Sequence, residues 1–220
     1  MKYKTITMAA WNDDLADIKL HLHNGTAVDA VDEHGFTPLH VAVKRGQLDI
    51  VKFLIANKAD VNGKGKTGQT PLLYVAISGH IDVARFLLEN KADVNMGESS
   101  GRAPLALAAV VGNMDMVKFL IKNGAIVDSK GENDWTPLMD AAFRDNQDIV
   151  KFLIANGADI NSKAKDGKTI LMNVAEMEAK ARKSAAVLMK KKSVAAKDIE
   201  VMAMRQAKII EFLKQLGAKE

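Results

Sequence analysis

Asp32-Glu33-His34-Gly35-Phe36-Thr37-Pro38-Leu39-His40-Val41-Ala42 decides the fold, because its centre returns down the chain in strict register. Thr70-Pro71-Leu72, Ala103-Pro104-Leu105 and Thr136-Pro137-Leu138 follow Thr37-Pro38-Leu39 at intervals of 33 residues and use up all four prolines, and Thr169-Ile170-Leu171 keeps the phase without one. Threonine before proline is a helix N-cap followed by a residue whose missing N–H costs nothing at the first helical position. Each triplet therefore predicts a helix start, and Ala103, lacking the hydroxyl, predicts a helix weaker by about 1 kcal/mol. A turn glycine precedes the triplet at Gly35, Gly68, Gly101 and Gly167, with Asp134 in its place in the fourth unit.

Downstream, Gly46, Gly79 and Gly112 close the first helix, with Asp145 where a fourth glycine is expected. A second amphipathic run follows in each unit, carrying Phe53, Phe86, Phe119 and Phe152 at one position and closing at Asn57, Asn90, Asn123 and Asn156. Those phenylalanines, together with Phe212, are predicted to be core. A pair of helices this short cannot bury its apolar faces alone, so the pattern predicts an array in which stacked neighbours share one continuous core.

The last unit is longer. Phe212-Leu213-Lys214-Gln215-Leu216-Gly217-Ala218 lies 60 residues after its counterpart at 152–158 instead of 33, which places 27 extra residues between the two helices. Apolar residues at 174, 177, 181, 185 and 188, then at 195, 199, 202, 209, 213 and 216, recur at helical spacings. They predict the seam of a helical hairpin with Lys190-Lys191-Lys192-Ser193 at its tip, Ser193 as N-cap of the returning helix, and about 30 Å of length in each arm of about 20 residues. The hairpin is expected to be helical and to seal the C-terminal end.

The pattern Asp-x-x-Gly-x-Thr-Pro-Leu-His-x-Ala, fullest at Asp32 to Ala42, resembles the ankyrin repeat, and the resemblance covers nearly all of residues 5–178 and 206–220. It implies an all-α solenoid of helix-turn-helix units with β-turn fingers. Residues 1–29 form an N-terminal capping unit, 30–62, 63–95, 96–128 and 129–161 full repeats, and 162–220 a final repeat interrupted at about 179–205. In such proteins the turn position before the Thr-Pro motif and the end of the first helix face a concave groove that varies with the partner. Here those positions carry Tyr3, Phe36 and Trp135 in one phase, and Trp11, Lys44, Ile77, Val110 and Phe143 in the other, with Val111 adjacent. Arg45, Arg102 and Arg144 are interspersed. These twelve residues are the expected partner-binding set, with aromatic anchors and a polar rim. Tyr74 is expected to pack.

Composition narrows the function. With 48% apolar and 26% charged residues the chain can build a core, and it has no apolar run long enough to span a bilayer. Zero cysteines exclude disulfides and thiolate chemistry. The absence of a leader in the chain as written favours the cytoplasm, or the periplasm or exterior if a leader has been removed. Residues 176–206 hold eight Lys or Arg against four Asp or Glu, which accounts for the whole formal charge of +4. That basic hairpin is the one candidate surface for nucleic acid or anionic membrane, and nucleic acid is disfavoured because it contains no aromatic residue.

His40 and His80 have repeat roles, His21 and His23 point apart on a helix, His34 sits in a turn, and no acid or histidine pair is read as sharing a face at ligand spacing. Gly63-Lys64-Gly65-Lys66 lacks phosphate-loop spacing. No metal, cofactor or catalytic centre is expected. The expected function is a monomeric module that grips another protein through its groove, as an inhibitor or self-protection protein if that partner is an enzyme.

Overall fold

The computed structural model describes residues 1–66, 68–190 and 195–219 and contains twelve α-helices and no strand among them. The helices are α1 (Ile6–Trp11), α2 (Leu15–His23), α3 (Pro38–Lys44), α4 (Leu48–Ala56), α5 (Pro71–Ser78), α6 (Ile81–Glu89), α7 (Pro104–Val111), α8 (Met114–Lys122), α9 (Pro137–Phe143), α10 (Gln147–Ala155), α11 (Ile170–Lys190) and α12 (Ala195–Gln215). The fold is an all-α solenoid of stacked helix-turn-helix units. Odd-numbered helices stack on one another along one side and even-numbered helices along the other.

Helix starts obey the capping rule unevenly. The hydroxyls of Thr5, Thr37, Thr136 and Thr169 accept from the backbone N–H of Met8, His40, Met139 and Met172. At Thr37 the box is closed by His40, whose Nδ1 accepts from the Thr37 N–H. Thr70 departs from the expectation: it makes no side-chain cap, and its buried Oγ1 has no hydrogen-bond partner among the described residues. The Leu73 N–H bonds instead to the Thr70 carbonyl at 3.1 Å, and Ala106 does the same to Ala103 at 3.0 Å, so both first turns tighten to satisfy the orphan amide without a hydroxyl.

Helix ends follow backbone sterics. Gly46, Gly79 and Gly112 sit at φ of 70°, 84° and 77°, and Asp145 keeps the same left-handed conformation at 60°. There its carboxylate accepts from the Gln147 side chain at 2.9 Å, the local bonding that lets aspartate occupy a glycine site.

A side-chain ladder holds successive loops together. Asp29, Asn62, Asn95 and Asp128, each 33 residues from the last, accept from the backbone N–H of Asp60, Asp93, Ile126 and Asp159, always 31 residues further on. Asn161 is the fifth rung, and its acceptor is met by the Lys219 N–H at 2.8 Å, 58 residues on. The difference is the 27-residue insertion, so the extra helical length enters the last unit without shifting the register of its closing loop.

The core runs unbroken through the stack. Val51, Ala84, Val117 and Val150, one position in four repeats, are each fully buried. Phe53, Phe86, Phe119, Phe152 and Phe212 are not core as expected; they lie half-buried along its edge, because the adjacent Leu54, Leu87, Leu120, Leu153 and Leu213 take the fully buried place. Three of these rings are capped by a cation of the preceding unit at 5.5 Å: Lys19 over Phe53, Arg85 over Phe119 and Lys151 over Phe212.

α11 and α12 are 21 residues each and pack along one another. The seam on α12 lies one residue away from the expected line: Met202 is 54% exposed while Ala203 is 2% exposed, beside buried Gln206. Ala185 on α11 and Ala203 on α12 are small enough to let the helices approach, which turns the larger methionine outward. Within 179–205 these two alanines are the buried side chains among the described residues; the unit's regular part, with Ile170, Leu171, Val174, Ile209 and Leu213, supplies the rest. The expected tip at Lys191, Lys192 and Ser193 lies outside the described residues, as does the side chain of Lys190.

Replacing Asn95 by alanine removes both its bond from the Ile126 N–H and its bond to the Gly124 carbonyl. Urea denaturation should show a loss of about 1 to 2 kcal/mol, and Asn95→Asp, which keeps the acceptor used at Asp29 and Asp128, a smaller loss.

Candidate partner-binding groove

The finger turns and the ends of the odd-numbered helices build this face. Each finger is closed by a backbone bond of one type: Asp32 N–H to Phe36, Gly65 to Gln69, Glu98 to Arg102, Gly131 to Trp135 and Ala164 to Lys168. The residue whose carbonyl closes each finger is thereby delivered to an equivalent place beside the helix that follows. Two pairs show that the finger phase and the helix-end phase meet within a unit: the Trp135 and Phe143 rings contact edge to face at 5.5 Å, and Lys168 forms an ion pair with Glu176.

The expected residues divide by exposure. Trp11, Ile77, Val111 and Phe143 are 51%, 46%, 47% and 40% exposed, large apolar groups left in solvent in or beside one phase. Lys44, Arg45 and Arg144 are also exposed, and Val110 and Arg102 are half-buried. Arg45 stacks over Trp11 at 4.8 Å, so it covers an anchor as well as lining the rim. Tyr3, Phe36 and Trp135 are half-buried and pack against the core, so each is partly committed to the fold. Phe36 meets Tyr74 of the next repeat at 5.7 Å and His40 at 6.4 Å. Tyr74 is packed as expected, and its hydroxyl donates to Gln69 Oε1 at 2.8 Å.

Several contributors escaped sequence reading. A cavity of about 570 Å³ opens at the N-terminal end of the face, lined by Met8, Trp11, Val31, Phe36 and Lys44 among others. Met8 and Val31 are exposed there, but in other repeats the Met8 phase holds Val41 and Tyr74 and the Val31 phase holds Lys64, so periodicity alone did not single them out. Asp140 did leave a signal: it is the one charged residue in a helix phase otherwise filled by Val41, Tyr74, Leu107 and Asn173.

Asp140 is 5% exposed. Burial pushes its carboxyl up to about 6, and Arg102 and Arg144 pull it back only in part. Arg102 Nη2 stands 3.6 Å from Asp140 Oδ1, too far for a hydrogen bond, and Asp140 Oδ2 has no hydrogen-bond partner among the described residues.

Two histidines are structural. His40 is buried, linked through Nδ1 to Thr37 and through Nε2 to the Gln69 carbonyl of the next finger, and burial holds its imidazole below the usual value, so it is neutral at pH 7. His21 corrects the reading that no acid and histidine share a face, since Asp17 lies one turn before it at 3.4 Å. Both are fully used in anchoring the N-terminal segment. Asp17 accepts from the Lys2 and Tyr3 N–H groups at 2.6 and 3.0 Å, and His21 Nε2 contacts the Tyr3 carbonyl at 3.0 Å. No group of three or more metal-ligating side chains occurs among the described residues, and no described helix is long and apolar enough to cross a membrane.

The raised carboxyl of Asp140 makes a pH prediction with a definite sign. A folded-state value above the unfolded one lends stability at low pH that is lost as pH rises through about 6. Relative to Asp140→Asn, the wild-type chain should therefore lose about 2 kcal/mol of stability between pH 4.5 and 7.5 in urea denaturation. Parallel pH dependence of the two proteins would show that the carboxylate is not buried at a cost.

Comparison with known proteins agrees with this architecture. A family model described as ankyrin repeats in three copies matches residues 6–98 and 90–164. An ankyrin repeat-containing protein of Schizosaccharomyces pombe is 40% identical over 55 residues, 23% of this chain and 27% of that protein. The match thus spans little more than a quarter of the relative's length. With the family model covering well over half of the sequence and the same repeat visible in the fold, the chain belongs to the ankyrin-repeat family, whose repeats generally mediate protein–protein interaction.

Proposed function

We propose that this protein binds a partner protein along the face formed by its finger tips and the ends of α1, α3, α5, α7 and α9. The observation that carries the reading is the exposure of Trp11, Ile77, Val111 and Phe143 in or beside one repeat phase. Solvent-facing groups are ordinarily polar, and a line of large apolar side chains flanked by Lys44, Arg45 and Arg144 has the composition of an interface core with its rim. Aromatic and arginine side chains supply most of the binding energy in such interfaces. A partner enzyme held along this face would have the docked surface occluded, which is the route by which such a module inhibits or protects.

The full chain, tagged and used as bait in its native lysate, should retain a protein that the Trp11→Ala, Phe143→Ala variant does not. With that protein purified, the double variant should bind about 30-fold more weakly, the equivalent of about 2 kcal/mol. Its melting temperature should stay within a few degrees of wild type, because neither side chain is in the buried core and Trp11 and Phe143 are already 51% and 40% exposed. A variant that binds normally, or that loses binding only because it has unfolded, would remove these residues from the interface.

A further inference from the structure

The cluster around Asp140 does not follow from the repeat. Its phase is apolar or neutral in every other unit, its Oδ2 is buried without a partner, and the nearest guanidinium stands beyond hydrogen-bond distance. The charges acting on it are Arg102, from the finger before α7, and Arg144, at the end of α9 itself. α7, α10 and α11 pack against α9, and in Asp140's own phase α7 carries Leu107 and α11 carries Asn173, whose amide nitrogen is also buried without a hydrogen-bond partner among the described residues. The Arg144 guanidinium has no hydrogen-bond or ion-pair partner among the described residues, and Arg102 lies against the finger that carries Trp135.

The floor and helix-end positions of the face have the same sign. They carry the cations Lys44, Arg45 and Arg144, and Arg102 reaches towards Asp140 from the finger before α7. Of the two acids in those positions, Asp140 is buried and Glu176 is held by Lys168 and Lys180. A ligand at the fourth unit meets the Arg144 guanidinium next to the Trp135–Phe143 pair, while the fingers around it carry both signs, Arg102 and Lys130 against Glu132 and Asp134.

We propose that Arg102 and Arg144, beside Trp135 and Phe143 and above buried Asp140, recognise a carboxylate on an apolar segment of the partner protein, with Asp140 as a proton-linked latch on Arg102. This inference rests on the groove reading above. A partner carboxylate forms charge-assisted hydrogen bonds with the two guanidinium groups, which Asp140 does not satisfy at its distance. Drawing Arg102 away strips Asp140 of its nearest positive charge, and the buried carboxylate then takes up a proton from solvent. Binding is thereby coupled to proton uptake, so affinity rises as pH falls from about 7.5 towards 6.

The probe is a phage-displayed random peptide library selected on the full chain, with affinities of the selected peptides measured at pH 5.5 and 7.5. The selected peptides should place Asp or Glu next to Leu, Phe or Trp and lose about ten-fold in affinity on Arg102→Gln or Arg144→Gln. They should bind wild type about five-fold more tightly at pH 5.5 than at 7.5. Asp140→Asn, which mimics the protonated latch, should bind tightly at both pH values. Basic peptides, pH-independent binding to wild type, or an unchanged pH response in Asp140→Asn would each overturn the proposal while leaving the groove in place if binding still needs Phe143. A library that yields no peptide dependent on Trp11 or Phe143 would instead bring down the groove reading itself, and this proposal with it.

Discussion

The contact between one helix pair and the next is what the rest of this structure depends on. Helices of six to nine residues are too short to stand alone in water, and each buries its apolar side only because the neighbouring unit supplies the other wall. The valine or alanine at 51, 84, 117 and 150 is fully buried for this reason, and the Asp or Asn rungs at 29, 62, 95, 128 and 161 fix the distance between units by catching a backbone N–H of the next loop. Stacking in strict register sorts the side chains by phase. Some phases face the core, some the ladder and some the solvent beside the fingers, so a residue's surroundings follow from its place in the repeat.

That sorting explains how much could be read in advance. The helix starts, the left-handed ends and the insertion in the last unit were all legible, because each rests on local backbone chemistry repeated several times. The phenylalanines of the even-numbered helices were misjudged, since periodicity shows that a position is apolar and does not say whether the ring or the adjacent leucine wins the centre. The α12 seam slipped by one residue for a related reason: Met202 is the larger apolar group, but Ala203 lets two helices come close. Thr70 lacked its cap because the backbone had a second way to satisfy the same N–H. The repeat phases of the proposed groove residues were legible, whereas their exposure depends on packing between units: Phe36 is half committed to Tyr74, and Phe143 remains open.

Function in such an array sits where a unit departs from its siblings. Core phases vary little in character, and the changes fall on the face where Trp11, Ile77, Val110 and Phe143 stand at equivalent places. Asp140 is the sharpest departure, a carboxylate in an apolar phase at a cost to the fold, beside two arginines and an aromatic pair. A stack that derives its stability from every interface can carry one unfavourable residue, and this one lies on the face proposed to bind a partner.

Hydrogen exchange of the free chain and of its complex with a captured partner tests the central claim most directly. Protection should concentrate in the fingers and odd-numbered helix ends, around residues 8–12, 33–45, 75–79, 108–112 and 133–145, with the far loops around 56–59, 89–92 and 122–125 unchanged. Protection confined to those far loops, or to the hairpin at 179–205, would place the partner elsewhere and contradict the account.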